Sequence, residues 1–367
     1  IQVLKGLLAR VPQVKPEEID DLIVGCSFPE AETGMNLGRI LAMGAGLPIS
    51  VSGMTVNRFC ASGLQAIADA TAKIRAGWSE IIIAGGCESM THIPMGGSAM
   101  RPHPDWKWDG SMPNVYINMG NTAENVAANH NVSREDQDKM GVESNRRAYE
   151  AIKAGKFKEE IIPIQAAKYK IKNGKRIREY VTFDTDDGVR WPATMENMAK
   201  LKSPFKKGGS VTAANSSQMT DGAAFCMLMT AEKAKELKLK PLAKLTHYAV
   251  DGVMSEEMVV GPAYAIPKVL KMAGLTPKDI DVYEINEAFA AVALVSCRSI
   301  LGMTKEEMYK KVNINGGAVA YGHPIGATGA RIVMTLGYEL KRRGGGYGVC
   351  GICSGHAQGD AMLIRVD

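Results

Sequence analysis

Apolar runs alternate with amphipathic stretches along most of the chain. Residues 80–86 are apolar at nearly every position, which predicts a strand covered on both faces. Residues 64–74 space leucine and isoleucine among alanines, a pattern that favours a helix buried inside a domain. Apolar strand runs recur at 223–229 and 281–285, and a second apolar helix is predicted at 288–297. The pattern therefore predicts an α/β fold in which helices cover buried sheets.

The same pattern divides the chain into three parts. The first part begins with an amphipathic helix marked by Val3, Leu4, Leu7 and Leu8. A long middle part is rich in Met, Pro, Trp, Asn and charged residues, which indicates extended loops around a few helices. We predict a first core unit of residues 1–88 plus 220–239, an inserted loop unit of 89–219, and a second core unit of 240–367.

Composition and charge exclude several classes of protein. With 46% hydrophobic and 23% charged residues, a chain of 367 residues can bury two or more cores. It contains no run of eighteen apolar residues, so no membrane span is predicted. The net charge of +5 is mild, and no motif for nucleic-acid binding accompanies it. Basic residues around Asn173-Gly174 predict a hairpin whose face is solvated or attracts an anionic ligand or an acidic protein.

The cysteines indicate a reducing compartment. There are seven of them, scattered through apolar segments, and no signal peptide accompanies them. We therefore expect a cytoplasmic protein. The sequence opens at Ile1, so a targeting peptide ahead of it would lie outside this sequence.

Four turns rich in small residues carry the candidate chemistry. His323 is predicted at a strand-to-helix turn, and Cys60 at the N-terminus of the predicted helix 64–74, where the helix dipole would lower its thiol pKa. Cys353 follows an apolar strand run, and Asn286 lies between a predicted strand and helix. A thiolate nucleophile, an imidazole base and a second thiol suit acyl-thioester chemistry.

These motifs, in this order, resemble the thiolase family over nearly the whole chain. The stretches that carry the likeness are NRFCASG, NEAFAA, GGAVAYGHPIGATGAR, and Cys353-x-Gly355 before Gln358-Gly359. The resemblance implies two similar five-stranded α/β halves in five layers, αβαβα, with a loop domain inserted in the first half. Thiolases usually begin with a strand, which is absent from this chain.

The resemblance also implies an activity and a role for each candidate residue. The activity is acetyl-CoA C-acyltransferase: reversible thiolysis of 3-ketoacyl-CoA, or condensation of two acetyl-CoA. Cys60 would carry the acyl group, and His323 would activate it and form a first oxyanion site with a water held by Asn286. Cys353 would be the general acid and base, and the N–H groups of Cys60 and Gly355 would form a second oxyanion site.

The family pattern further implies how coenzyme A and acyl-CoA bind. Coenzyme A is a co-substrate in this pattern, with no prosthetic group. Ser217 would contact the pantetheine chain, Arg190 the nucleotide end, and Met119 and Met258 the acyl and pantetheine channel. For Arg190 an exposed charge, and for both methionines plain core packing, are the alternative interpretations. A homodimer or homotetramer is also implied.

Two features depart from the family pattern. His356 stands where thiolases commonly carry glycine, and it contacts substrate, replaces a water, or faces away. Cys350, Cys353 and His356 spell C-x-x-C-x-x-H, but no fourth ligand is apparent, so we expect no metal site. A redox pair between the two cysteines stays open.

Two other classes of protein also stay open. One is a decarboxylating condensing enzyme of the ketoacyl synthase type, against which the second cysteine turn argues. The other is a non-catalytic thiolase-like protein that binds acyl-CoA or lipid.

Overall fold

Two four-stranded sheets and the helices around them form the frame of the molecule. The computed structural model describes the backbone of residues 1–367 and every side chain except that of Ile300. The strands are β1 (Asp21–Gly25), β2 (Ser52–Val56), β3 (Ile81–Glu88), β4 (Ile164–Lys172), β5 (Lys175–Phe183), β6 (Gly222–Met229), β7 (Lys244–Gly252), β8 (Val282–Ile285), β9 (Gly346–Ser354) and β10 (Gln358–Val366). The α-helices are α1 (Gln2–Arg10), α2 (Leu37–Ala45), α3 (Ser62–Arg75), α4 (Met119–Asn129), α5 (Arg134–Lys153), α6 (Met195–Ala199), α7 (Ala231–Glu236), α8 (Gly261–Ala273), α9 (Ala290–Val295), α10 (Lys305–Lys311), α11 (Ala318–Tyr321) and α12 (Ile325–Arg343).

The two sheets share one topology. In the first, β1 is parallel to β2 and β3, and β6 is antiparallel to β3. In the second, β8 is parallel to β9, and β10 is antiparallel to both β9 and β7. The parts β1, β3 and β6 therefore correspond to β8, β9 and β10, and the predicted internal duplication is present. Each sheet has four strands in the described chain rather than five, and a single parallel bridge between Tyr283 and Val312 stands where β2 lies in the first half.

The free edge of β6 borders a groove of about 900 Å³. Residues of α1 and α12 line it together with Ala224, Cys226 and Leu228 of the strand. In the second sheet the equivalent place, beside β10, is filled by β7. This groove thus lies at a sheet edge rather than at the candidate catalytic turns.

Three buried clusters define the layers. The central cluster contains Leu64 and Ile67 of α3, Leu336 of α12, and side chains from both sheets such as Ile82 and Ile352. A second cluster packs α1 and α2 on the outer face of the first sheet, and a third packs α8 and α9 on the outer face of the second. One helical layer therefore lies between the two sheets, and another covers the outer face of each sheet. This confirms the five-layer αβαβα arrangement.

The inserted residues form helices and an exposed hairpin. The Ser133 hydroxyl accepts the Asp136 N–H at 3.0 Å and caps α5. Strands β4 and β5 form the predicted hairpin and meet at Asn173 and Gly174, whose positive φ angles of 51° and 71° fit a type I′ turn. Across the described residues, no helix combines the length and apolar character that a membrane crossing needs.

Candidate active site

Close approach of two helix N-termini brings the catalytic turns together. A Cβ on Gly63 of α3 would lie 2.8 Å from the Gly326 carbonyl oxygen of α12, and one on Gly329 would lie 2.4 Å from the backbone N of Leu64. Glycine is therefore required for this contact, because any side chain would force the helices apart. Cys60 and His323 each precede their helix by a few residues, so both lie at this junction.

Cys60 is buried in a short 3₁₀ turn between β2 and α3, with only 2% of its surface exposed. Burial raises the pKa of its thiol well above the ordinary value, and the nearby Cys353 adds to this increase. Hydrogen bonds from the backbone N–H groups of Gly355 and of Cys60 itself oppose the increase. The sequence led us to expect a lowered thiol pKa here, but in the structure the pKa is raised, because loss of hydration disfavours the thiolate.

Cys353 lies one residue before the end of β9 and is fully buried. Burial raises the pKa of its thiol to about 12, so it too is a neutral thiol at pH 7. Gly355 follows on the same turn, and a Cβ at this position would lie 2.8 Å from the Phe59 ring. The absence of a side chain lets the Gly355 N–H reach the Cys60 sulfur.

His323 is a buried, neutral imidazole with one fixed tautomer. Its Nδ1 lies 2.7 Å from the Thr328 hydroxyl oxygen, and that hydroxyl donates to the Pro324 carbonyl oxygen at 2.9 Å. The single hydroxyl proton is thus used, so Nδ1 must donate and Nε2 keeps its lone pair. Burial lowers the His323 pKa to about 3. The residue lies between α11 and α12, so the predicted strand-to-helix turn is a helix-to-helix turn.

Asn286 is placed beside this base by β8. Its side-chain Nδ2 lies 3.3 Å from His323 Nε2, within hydrogen-bonding distance of the lone pair. Its Oδ1 is buried and has no hydrogen-bond partner among the described protein atoms. The amide oxygen is therefore free to accept a hydrogen bond from a small polar molecule, such as the water that the sequence predicts there.

The loop that contains Ser217 runs between Asn286 and His323. The Ser217 N–H donates to the Ala288 carbonyl oxygen at 2.9 Å, and the His323 N–H donates to Gln218 at 3.2 Å. Gln218 in turn donates to the Gly188 carbonyl oxygen at 2.7 Å. The Ser217 backbone is therefore hydrogen-bonded two residues from Asn286, and the next residue, Gln218, is hydrogen-bonded to His323.

The remaining predicted coenzyme A residues lie farther out. Arg190 is exposed, two residues beyond Gly188, and its backbone N–H donates to Asn145. Met119 begins α4 and packs against both the central and outer clusters. Met258 is buried in a 3₁₀ segment that leads into α8.

His356 lies over the nucleophile turn. Its ring centroid is 4.7 Å from that of Phe59 and 5.8 Å from that of Tyr116 in the inserted loop. Both His356 and Ala357 adopt left-handed backbone conformations, with φ of 57° and 64°. The side chain thus joins the loop unit to the turn that carries Cys60.

Cys350 takes no part in this cluster. It points into the central cluster whereas Cys353 points into the outer one, because residues three apart on a strand face opposite sides. A Cys350–Cys353 redox pair, left open by the sequence, is therefore not formed on this strand. No group of three or more potential metal ligands occurs among the described side chains.

Sequence reasoning missed two residues of the site. Thr328 sets the His323 tautomer. Its position, five residues after the histidine and in the first turn of the next helix, was a signal in the sequence for this contact. Glu88 accepts backbone N–H groups from Ser27, Phe28 and Gly326, and no local pattern indicates contacts between such distant segments.

Fold and site together define an α/β acyl-transfer protein with two buried cysteines at a helix junction. The chain belongs to the thiolase family. Residues 1–232 match the family model for "Thiolase, N-terminal domain" and residues 239–366 the model for "Thiolase, C-terminal domain".

Relatives of known sequence and structure agree with this assignment. The chain is 46% identical to a 3-ketoacyl-CoA thiolase of Bacillus subtilis, over 95% of this chain and 88% of the relative. It is 42% identical to an acetyl-CoA acetyltransferase of Syntrophomonas wolfei, over 99% and 91%. The crystal structure of the Bacillus anthracis acetyl-CoA acetyltransferase superposes with a TM-score of 0.86 at 38% identity, covering 100% of this chain and 91% of that one.

Proposed function

We propose that the protein is an acetyl-CoA C-acyltransferase that works through an acyl-Cys60 intermediate. It cleaves 3-ketoacyl-CoA with coenzyme A to acetyl-CoA and a shortened acyl-CoA, or condenses two acetyl-CoA in the reverse direction. The observation that carries this proposal is the buried Cys60 thiol, which lies beside the buried Cys353 and whose thiolate the backbone N–H groups of Cys60 and Gly355 favour. Such paired donors stabilise a thioester oxyanion.

In the cleavage direction, the Cys60 sulfur attacks the 3-keto carbon and its proton passes to His323 Nε2. The C2–C3 bond then breaks, the electron pair moves to the acetyl-CoA enolate, and the Cys353 thiol protonates C2. The Cys353 thiolate next takes the proton of an incoming coenzyme A thiol, which attacks the acyl-Cys60 thioester. Cys60 leaves and recovers its proton from His323, so both cysteines return to their starting state.

The protonation states support this order. Both thiols are neutral before substrate binds, since burial raises their pKa values, and His323 is neutral since burial lowers its pKa. Proton transfer from Cys60 to His323 is therefore coupled to attack rather than completed in advance. The N–H groups of the oxyanion sites take the place of the lost water and stabilise the charges that form during the attack.

The candidate residues farther from the two cysteines carry our proposal for coenzyme A binding. We assign Ser217 to the pantetheine chain, Met119 and Met258 to the walls of the channel, and Arg190 to the nucleotide. The exposed guanidinium of Arg190 suits a phosphate or adenine partner. Coenzyme A is a co-substrate and no prosthetic group takes part. We further propose a cytoplasmic homodimer or homotetramer.

Labelling with radioactive acetyl-CoA followed by peptide mapping tests the acyl-enzyme. We expect label on the peptide that contains Cys60, loss of label in Cys60→Ser, and full labelling in Cys226→Ser, which removes a thiol of β6 outside the site. Absence of label from Cys60 would leave only a non-catalytic acyl-CoA-binding protein.

A second assay fixes the substrate and the direction. Thiolysis rates measured with 3-ketoacyl-CoA of increasing chain length separate a degradative enzyme, active on long chains, from one confined to acetoacetyl-CoA. A decarboxylating condensing enzyme would instead require a malonyl thioester, and the Cys353 turn argues against it.

A further inference from the structure

Glu88, at the end of β3, accepts hydrogen bonds from three backbone N–H groups. The donors are Ser27 at 2.8 Å, Phe28 at 3.2 Å and Gly326 at 2.8 Å. Only 4% of the residue's surface is exposed. The carboxylate therefore joins the loop after β1 to the first turn of α12, two segments nearly three hundred residues apart in sequence.

One arm of this network leads to the nucleophile. The Ser27 hydroxyl donates to the Phe59 carbonyl oxygen at 2.8 Å, and the Asn57 side chain donates to the Ser27 carbonyl oxygen at 2.9 Å. Phe59 is the residue before Cys60 and has a left-handed φ of 43°. Ser27 is thus hydrogen-bonded to both Asn57 and Phe59, and it holds the turn that leads to Cys60.

The other arm leads to the base. Gly326 is the second residue of α12 and lies three residues after His323. A carboxylate at this place is favoured, because unpaired N–H groups and the helix dipole both attract negative charge. A Cβ on Gly326 would lie 2.7 Å from the Glu88 carboxylate oxygen, so the contact leaves no room for a side chain.

We propose that Glu88 is a positioning residue for acyl transfer: one carboxylate sets the turn of Cys60 relative to the turn of His323. This inference rests on the proposed roles of those two residues. Glu88 itself does not reach the reacting atoms. An amide at this position has one acceptor oxygen, and its NH₂ group would face a backbone N–H instead of accepting from it.

Replacing Glu88→Gln, with Glu124→Gln as the matched control, tests the proposal. Glu124 is a similarly buried carboxylate on α4 that accepts the N–H groups of Ser210 and Val211 at 2.8 and 2.9 Å, within the inserted unit. A misplacement of about 1 Å costs roughly 100-fold in rate, so we expect kcat of thiolysis to fall by about 10- to 100-fold in Glu88→Gln. KM should change little, and Glu124→Gln should lower the melting temperature with nearly unchanged kcat.

Alkylation of Cys60 by iodoacetamide distinguishes a positioning role of Glu88 from a simple loss of stability. The negative charge of Glu88 contributes to the raised pKa of Cys60, although burial and Cys353 contribute more. Removing that charge should leave the alkylation rate at pH 8 unchanged or higher while turnover falls. Ser27→Ala removes the hydrogen bond from Ser27 to Phe59. It should likewise lower turnover without lowering the alkylation rate, but by a smaller factor. This variant tests the proposal if Glu88→Gln does not fold.

Two results would overturn the assignment. One is a kcat for both Glu88→Gln and Ser27→Ala within about twofold of the parent enzyme. The other is a loss of kcat that Glu124→Gln reproduces in proportion to its melting temperature. If the parent enzyme fails to acylate Cys60 at all, the proposed function itself falls, and with it this role for Glu88.

Discussion

His323 donates its Nδ1 hydrogen to the Thr328 hydroxyl oxygen at 2.7 Å, and this bond decides which nitrogen can act as a base. Thr328 can accept because its own proton goes to the Pro324 carbonyl oxygen, one helical turn back. The opposite nitrogen, Nε2, is left with a lone pair near Asn286. Thr328 therefore selects Nε2 as the His323 nitrogen that is able to accept a proton.

Replacing Thr328→Val should slow turnover with little change in KM. The valine fills the same space but cannot accept, so the buried Nδ1–H loses its partner and the tautomer is no longer fixed. Since general base catalysis is worth about 100- to 10,000-fold, we expect kcat to fall by at least about tenfold. Steady-state thiolysis kinetics measure this effect.

The matched control is Thr335→Val, a buried hydroxyl on the same helix that donates to Glu160 at 2.7 Å. It should lose stability and keep kcat. Equal kcat values for the two variants would contradict the role of Thr328.

The low pKa of His323 predicts how stability depends on pH. An unfolded histidine titrates near pH 6.5, whereas burial lowers the folded pKa to about 3. Between these values the unfolded chain binds more protons than the folded one, so His323 lowers stability progressively as pH falls from about 6.5 toward 3. Urea unfolding at several pH values should show a smaller loss in His323→Gln than in the parent enzyme. Identical pH slopes would mean that His323 binds a proton as readily in the folded protein as in the unfolded chain.

The fold could be predicted because its signals are local, and the candidate site residues were proposed from local signals too. Residues 80–86 already mark β3, and small residues around Cys60, His323 and Cys353 mark turns with room for a ligand. The pKa of Cys60 could not be predicted, because its direction depends on how completely the two halves bury the thiol. Glu88 was not predicted for a similar reason, since its backbone partners come from two segments far from it in sequence.

The Gly355 position is expected to tolerate no side chain. Its backbone conformation is open to any residue, yet an added Cβ would lie 2.8 to 3.1 Å from three atoms of Phe59. Gly355→Ala must therefore displace Phe59 or move the N–H that reaches Cys60. Because loss of one oxyanion donor costs roughly 100- to 1,000-fold, kcat should fall by about that factor.

Gly252→Ala is the control, since a Cβ there meets nothing within 4 Å. Acyl-enzyme formation and thiolysis measured on both variants should separate them clearly. Normal turnover in Gly355→Ala would remove its N–H from the proposed oxyanion site.

The last prediction concerns His356. Its backbone conformation lowers stability and its aromatic contacts raise it, so its replacement should affect function more than stability. Its left-handed backbone costs about 1 to 2 kcal/mol for a residue other than glycine. Its contacts with Phe59 and Tyr116 return about 0.5 to 1.5 kcal/mol each. His356→Gly removes the strain and both contacts, so the free energy of unfolding should change by no more than about 2 kcal/mol.

The same change separates the inserted loop from the nucleophile turn, so KM for 3-ketoacyl-CoA should rise several-fold while kcat changes less. Ala357→Gly relieves a similar backbone conformation, with φ of 64°, and removes no aromatic contact. Relief of about 1 to 2 kcal/mol of backbone strain is offset by about 0.4 to 1 kcal/mol from the freer unfolded chain, so stability should rise by no more than about 1.6 kcal/mol, with both kinetic constants unchanged. If His356→Gly and Ala357→Gly behave alike in thiolysis, the imidazole has no role in holding the loop, and its aromatic contacts are packing alone.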